Sequence, residues 1–486
     1  FKVLYHDDGS VARFKSRWVG KGFTQVPGVD YHESYCSTLR AEIMRLFLAD
    51  AAASDNQLLE IDLIKAFTQG DMDDCELYVE QPRGFVDPKY VACRLTKPLE
   101  GTCQAGYLFM TSNADTLQNK CGFSRSMTEP NIFWRERDGV LIKIGVYVDN
   151  VLLSYPKGTA AKAQVDEFIA VYKQRFNIDV RGPPREFMGI EILRNRGAHT
   201  LTITQTKYIE KAYAQFLNGT CTKGFTSPVA STATDQFMRI TTATTDVERA
   251  AMRQKPFLSL MGTLLWATMT HPEIAYYVGY LCQTMHDPSV AGFEAGLAIL
   301  SYLYNARNLG ITYDGNKPTL TVFTDASWGQ SPTPFGGHVV FYCGGAVGYQ
   351  SRKLKIVPQS SAEAETAVYA TAAKDLRFII NVLGFDGLQA IIELPIAIHT
   401  DNEAAVSTIK NPGATARTRH YERWVLYGRE QYLKRISFPR HVYTKKQIAD
   451  IFTKALDKTS FLKFRDALLN NPNSNSSFDL VMSLFQ

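Results

Sequence analysis

The 486 residues carry 53 Lys and Arg against 48 Asp and Glu, a net charge of +5, with 45% apolar and 21% charged residues. That balance excludes a disordered, collagenous or disulfide-scaffold chain, and the length suggests about three folded domains. The richest apolar stretch is broken by His271, Pro272 and Glu273, so no transmembrane span is expected.

In chain order, residues 1–200 read as mixed α/β, with a helix over about 42–53 and strands over 141–148 and 201–204. A helical region runs from Gln205 to about Asn308. Tyr208, Ile209, Ala212, Tyr213 and Phe216 form the stripe of an amphipathic helix, and 257–269 and 292–304 repeat the pattern around a Thr/Ser-rich connector at 226–245. A second α/β region follows the turn at 315–318. It has strands over 320–324, 337–342 and 395–400, and helices over 361–383, 402–410 and 447–456. The tail beyond 470 is Asn/Ser-rich and reads as flexible. The eight cysteines include no C-x-x-C, which argues against a structural zinc and for reduced thiols in an intracellular protein. The chain begins at Phe1 with no signal-peptide pattern and reads as an internal piece of something longer.

In the second α/β region, four acidic residues fall where elements begin or end: Asp325 after the strand TLTVFT, Glu365 in SSAEAETAVYA, Asp401 after PIAIHT, and Asp450 in QIADIFTKAL. Carboxylates from several strand and helix ends can converge to hold a pair of hard divalent cations for phosphoryl displacement. Taken singly, Asp401 is a helix N-cap, Asp325 a turn residue and Asp450 a solvated helix position. Glu363 and Glu365 lie about 200° apart on one helix, so only one can face a common site. The order strand, helix, strand, helix is far more specific than any one residue. In the first region, Asp62 ends an apolar strand. Asp149-Asn150 sits between apolar runs in KIGVYVDNVLLSY, a hairpin with a carboxylate at its tip. Asx residues also favour hairpin turns on their own.

The segments TDASW, SSAEAE, HTDNEAA, RTRH and QIADIFTKAL resemble the ribonuclease H domain of copia-type long-terminal-repeat retrotransposon polyproteins. FKSRWVGKGFTQVPGVDYHESY, DLIKAFTQGDMDDCELYVEQPRGF, YVDN, FMGIEI, QTKYIEKAY and MGTLLWATMTHPEIAY resemble that family's reverse transcriptase, in the same order. The resemblance implies a right-hand polymerase with fingers and palm over 1–200 and a helical thumb or connection over 201–315. A ribonuclease H-like α/β domain over 316–470 and a tail over 471–486 would complete it.

The resemblance further implies two Mg²⁺ per site, with Mn²⁺ as a substitute. Asp62 and Asp149 would be the ligands for nucleotidyl transfer, and Asp325, Glu365, Asp401 and Asp450 those for RNA hydrolysis. Phe67 would stack under the incoming sugar, unless it is an ordinary core residue, and Gln104 would lie against the nucleotide. Lys15, Arg17 and Lys21 would meet the triphosphate, unless they form a solvated strand face. Phe187, Met188 and Gly189 would grip the primer end. Arg417 and Arg419 would touch backbone phosphates, and His420 would aid product release or proton transfer, or be a surface histidine beside a phosphate. Partners would be an RNA template, an RNA–DNA hybrid bound through its phosphates and shape, a tRNA primer, dNTPs and other parts of the polyprotein. No membrane contact is implied. The compartment would be the cytoplasm, within virus-like particles, with nuclear entry open.

Three departures stand out: Asn150 replaces the second Asp of YVDD, LEGTCQAGYLF replaces LYGLKQAPRxWY, and YCSTLR replaces FSPVVR. They leave two rivals. One is a decayed polymerase with a surviving nuclease; the other is a co-opted nucleic-acid-binding protein without activity.

Overall fold

The computed structural model describes residues 2–5, 10–72, 75–218, 225–230, 233–328, 334–411, 413 and 421–472. The chain divides into two compact mixed α/β units, Phe1–Leu39 with Gln57–Pro183, and Arg40–Asn56 with Pro184–Gln486. Among the described residues, no helix is long and apolar enough to cross a membrane.

The first unit is built on an antiparallel sheet in the order Ile178–Gly182, Gln57–Leu63, Asn150–Tyr155, Val140–Tyr147, Ile132–Arg137, Ser124–Arg125. Period-two patterning assigns its faces. Leu59, Ile61, Leu63, Val151, Leu153 and Ile178 join one core with Phe109 of the helix Ala105–Asp115 and Phe168 of the helix Thr159–Arg175. Full burial of one such ring is worth about 1.5–3 kcal/mol. The alternate residues Glu60, Asp62, Asn150 and Asp179 are thereby left on the opposite face. Asp62 lies in register with Asn150 on one side and Asp179 on the other.

In the second unit, Glu186–Phe187, Ile190–Asn195, Thr200–Thr204 and Ile311–Asp314 form one four-stranded sheet. Thr200–Thr204 pairs with Ile190–Asn195 on one side and Ile311–Asp314 on the other, so a boundary at 200 divides this sheet; the compact unit begins at Pro184. Between those strands lie the helices Thr206–Leu217, Phe257–Ala267, Ala275–Cys282 and Val290–Ala306. The helix Ala41–Ala53 also belongs here. Its buried Arg45 donates from Nε to Val347 O at 2.8 Å and stacks over the Tyr349 ring.

A five-stranded mixed sheet follows, in the order Gly345–Lys353, Phe335–Tyr342, Thr321–Ala326, Ile396–Thr400, Ser437–His441. Its first three strands are antiparallel neighbours and its last two join in parallel. The long helix Ser361–Leu383 links the two parts, as a parallel connection requires.

The sequence predicts a helix over 447–456. The chain instead makes a short 3₁₀ turn, Ile448–Phe452, and its last helix is Lys458–Leu469. Thr453 ends the turn by returning its hydroxyl to Asp450 O at 3.2 Å. Asp457 then caps the next helix, accepting from Thr459 N at 2.9 Å and Ser460 N at 3.1 Å. Arg417, Arg419, His420 and the tail from 473 lie outside the described residues.

Candidate active sites

Parallel register positions the first site. Val322 pairs with Ile398 and Phe323 with His399, so Asp325 at one strand end and Asp401 just past the other fall side by side. Such strand ends are where open α/β sheets gather ligand-binding groups. Asp401 does not cap the following helix. Asn402 does, its side chain accepting from Ala405 N at 3.0 Å, and Asp401 instead accepts from Thr444 Oγ1 at 2.9 Å. The 3₁₀ turn delivers Asp450. Gln447 anchors that turn by donating to Thr324 O at 3.0 Å, and Ser351 donates to Phe452 O at 2.6 Å. One oxygen from each of Asp325, Asp401 and Asp450 lies within 4.8 Å of the others.

On the long helix, Ser360 accepts from Glu363 N at 3.2 Å, while Glu363 reaches back to Gln359 N at 2.8 Å, a near-capping-box arrangement. Glu363 is thus spent on the helix end. Glu365, two residues on, borders the site. Its carboxylate accepts from Ala326 N at 3.0 Å and Thr400 Oγ1 at 3.1 Å.

Burial is the main force on Asp325, Glu365 and Asp450. It raises Asp325, and lifts Glu365 well above the usual carboxylate range with help from Asp325. It pushes Asp450 up to about 8, with Asp325 adding repulsion and Lys454 opposing. Lys454 Nζ sits 2.9 Å from Asp450 Oδ1 and 4.0 Å from Asp325 Oδ2, and Thr453 Oγ1 donates to Asp325. Sequence reading missed both residues, although the i,i+4 spacing from Asp450 to Lys454 was an available signal. Crowded, oxygen-only and partly dry, the set has the donor chemistry of a hard divalent cation.

The second site is the open face of the first unit's sheet. Asp62 is about a fifth exposed; burial raises its pKa, Arg181 lowers it, and Asp149 and Asp179 raise it further. Asp149 is held at the hairpin tip, its carbonyl accepting from Leu63 N at 2.8 Å. With Tyr147 paired to Asn150, the loop is only Val148 and Asp149. Val148 has φ +52°, in the place where such loops ordinarily carry glycine. Asn150 Nδ2 donates to Asp149 Oδ1 at 3.1 Å, so an amide N–H engages an oxygen of the remaining carboxylate.

Phe67 is half-buried, edge-on to Phe109 at 6.3 Å, and packs against the core. Gln104 is fully buried. Its amide donates to Asp30 O at 2.9 Å and accepts from Gln25 Nε2 at 3.1 Å, so it fixes the 25–30 segment rather than facing solvent. Arg17 pairs with Glu100 at 3.4 Å. Arg17 and Lys21 line a cavity of about 880 Å³ together with Trp18, Tyr78, Arg83 and Phe85. The Lys15 side chain lies outside what is described. In the second unit, Phe187 pairs with Ile190 across a two-residue loop of Met188 and Gly189, at φ +54° and +71°. Phe187 is buried and Gly189 exposed.

The pattern of the reverse transcriptase (RNA-dependent DNA polymerase) family matches residues 2–231. The chain is 30% identical over 472 residues to a retrovirus-related Pol polyprotein from transposon RE1 of Arabidopsis thaliana, covering 96% of this chain and 31% of that relative. It therefore spans about a third of the plant protein's length. Against the putative transposon Ty5-1 protein of Saccharomyces cerevisiae it is 30% identical over 328 residues, 65% of this chain and 98% of the yeast protein. Among solved structures, LC11-RNase H1 in complex with an RNA/DNA hybrid aligns with 28% of this chain and 94% of its own, at 15% identity and a TM-score of 0.22. A score of that size does not by itself establish a shared fold. The two long sequence relationships do establish kinship: this chain belongs to the copia-type retrotransposon Pol polyprotein family.

Proposed function

We propose that the chain is the RNA-directed DNA polymerase and ribonuclease H region of such a polyprotein. The observation that carries this is the convergence of Asp325, Asp401 and Asp450 within 4.8 Å, in a chain whose other half matches the reverse transcriptase family. Asp325, Asp401 and Asp450, with Glu365 beside them, would hold Mg²⁺ or Mn²⁺ at the nuclease site, and Asp62 and Asp149 would hold it at the polymerase site. A bound divalent cation there supplies charge neutralisation and a lowered pKa for the attacking oxygen.

The chain's own residues do the rest. Thr400 and the Ala326 N–H orient Glu365, Thr444 orients Asp401, and Lys454 offsets the charge on Asp450. Substrates on this reading are an RNA template, a primer (a tRNA in the element's own cycle), dNTPs and the resulting hybrid. Phe187, Met188 and Gly189 would support the primer end, Arg17 and Lys21 the triphosphate, and Phe67 the incoming sugar. The cytoplasm, within virus-like particles, is the compartment this life cycle calls for.

A second reading is favoured by Asn150. Its amide on Asp149 removes one negative charge and occupies an oxygen of another carboxylate, so the polymerase would be impaired while the nuclease persists. Mg²⁺-dependent extension of an oligo(dT) primer on poly(rA), with RNA cleavage followed in the same tube, separates the readings. Extension with cleavage supports the two-site enzyme, and cleavage alone selects the impaired polymerase. If folded protein bound hybrid yet did neither, the co-opted binder would replace both.

A further inference from the structure

The strand Ile178–Gly182 carries an irregularity beside the polymerase-type site. Asp179 pairs with Asp62 and Val180 with Ile61, but Gly182 then pairs with Glu60, leaving Arg181 as the extra, unpaired residue of a bulge. Gly182, at φ +85°, supplies the backbone freedom this needs. Bulges beside functional sites re-aim a side chain, and here the side chain is a guanidinium. Its three nitrogens go to three carboxylates: Nη1 to Glu60 Oε1 at 3.0 Å, Nη2 to Asp62 Oδ2 at 2.9 Å, and Nε towards Asp179 Oδ2 at 3.7 Å. The partners differ in exposure, with Glu60 9% exposed, Asp62 22% and Asp179 60%, while Arg181 itself is 45% exposed. The fork therefore has a deep anchor at Glu60 and a shallower hold on Asp62.

We propose that Arg181 is a built-in counter-ion of this site, one that must release Asp62 before a divalent cation is held there and so sets how much cation the site demands. The inference rests on the reading of Asp62 as a metal ligand. A positive charge on the carboxylate oxygen that a cation would use competes with it directly, and a half-exposed arginine can withdraw without unfolding the sheet. Nη1 can stay on Glu60 while Nη2 leaves Asp62, so the fork geometry gives the switch a pivot. Arg181 is a positioning residue here, acting through Asp62. Asp179 belongs to the same device. It attracts the guanidinium toward the outer edge, and it restores on one side of Asp62 the negative charge that Asn150 withholds on the other.

The test reads Mn²⁺ binding by electron paramagnetic resonance, using the full chain with Asp325→Asn and Asp450→Asn to silence the nuclease site. Arg181→Gln should bind Mn²⁺ about five- to tenfold more tightly than the parent, and Arg181→Lys should fall between them. Equal or weaker binding by folded Arg181→Gln overturns the proposal, as does an Arg181→Lys variant that tightens just as much, since charge would then not be the cause. Should Arg181→Gln fail to fold, Arg181→Met, which also removes the charge, takes its place: tighter binding supports the counter-ion, and unchanged or weaker binding sinks it. Asp62→Asn in the same background distinguishes the two layers. Loss of Mn²⁺ binding there keeps the metal-site reading, whatever Arg181 does; unchanged binding removes that reading, and the counter-ion with it.

Discussion

Val148 is a β-branched residue held at φ +52°, a conformation that costs about 1–3 kcal/mol and persists only where its surroundings impose it. The hairpin pairing of Tyr147 with Asn150 and the Leu63 N–H on Asp149 O are those surroundings. They hold Asp149 at the hairpin tip, at the strand ends next to Leu63. Val148→Gly should relieve the strain and loosen that hold together. The urea midpoint should rise by the equivalent of about 1 kcal/mol, while any primer extension the chain performs falls about tenfold or more. A lower midpoint would show that the left-handed valine carries no strain. Asn150, one residue on, was legible as a departure from the family motif. Its hydrogen bond to Asp149 was not, because side-chain orientation at a turn follows from the pairing on both sides of it.

Among the elements, the 3₁₀ turn Ile448–Phe452 completes the carboxylate cluster of Asp325, Asp401 and Asp450, and its seat is a missing side chain. Gly337 pairs with Asp325 across the sheet, and a Cβ there would stand 2.4 Å from Phe452 Cβ and 3.1 Å from Thr453 Cγ2. Gly337→Ala should therefore push the turn, with Asp450 and Lys454, away from Asp325. We expect a loss of about 1–3 kcal/mol in stability and a larger loss of RNA cleavage, by melting and by hybrid cleavage rates. Near-parental cleavage would mean that the turn adjusts without carrying Asp450 with it. Sequence periodicity predicted one helix across this segment because QIADIFTKAL has helical spacing. The hydroxyl of Thr453 and the cap at Asp457 divide it instead. By contrast, the helix Ser361–Leu383 was readable from its Ser and Glu cap and its unbroken apolar stripe.

For the whole molecule, the buried carboxyls Asp325, Glu365 and Asp450 make folding depend on pH. Burial raises the pKa of these three groups in the folded state, Asp450 to about 8, so between the ordinary carboxylate range and that value the folded chain binds protons that the unfolded chain has released. Stability of the metal-free protein is then greatest at the acidic end of this window and falls as pH rises through it. Melting temperatures without metal should drop from pH 5 to pH 8, and Mg²⁺ at pH 8 should recover the loss. A flat profile would contradict the burial assigned to these groups.

The two mixed α/β regions, most element positions, the family and the candidate carboxylates were legible in the chain, because periodicity, caps and motif order are local properties. Which of those groups meet depends on how distant segments pack. Parallel register brings Asp401 beside Asp325, a capping contact diverts Glu363 and leaves Glu365 at the site, and a bulge turns Arg181 onto Asp62. The domain edge at Pro184 was likewise beyond local reading, because it is set by Thr200–Thr204 pairing with a strand more than a hundred residues later. Such pairings are fixed by register and burial across distant segments, and no local pattern encodes them.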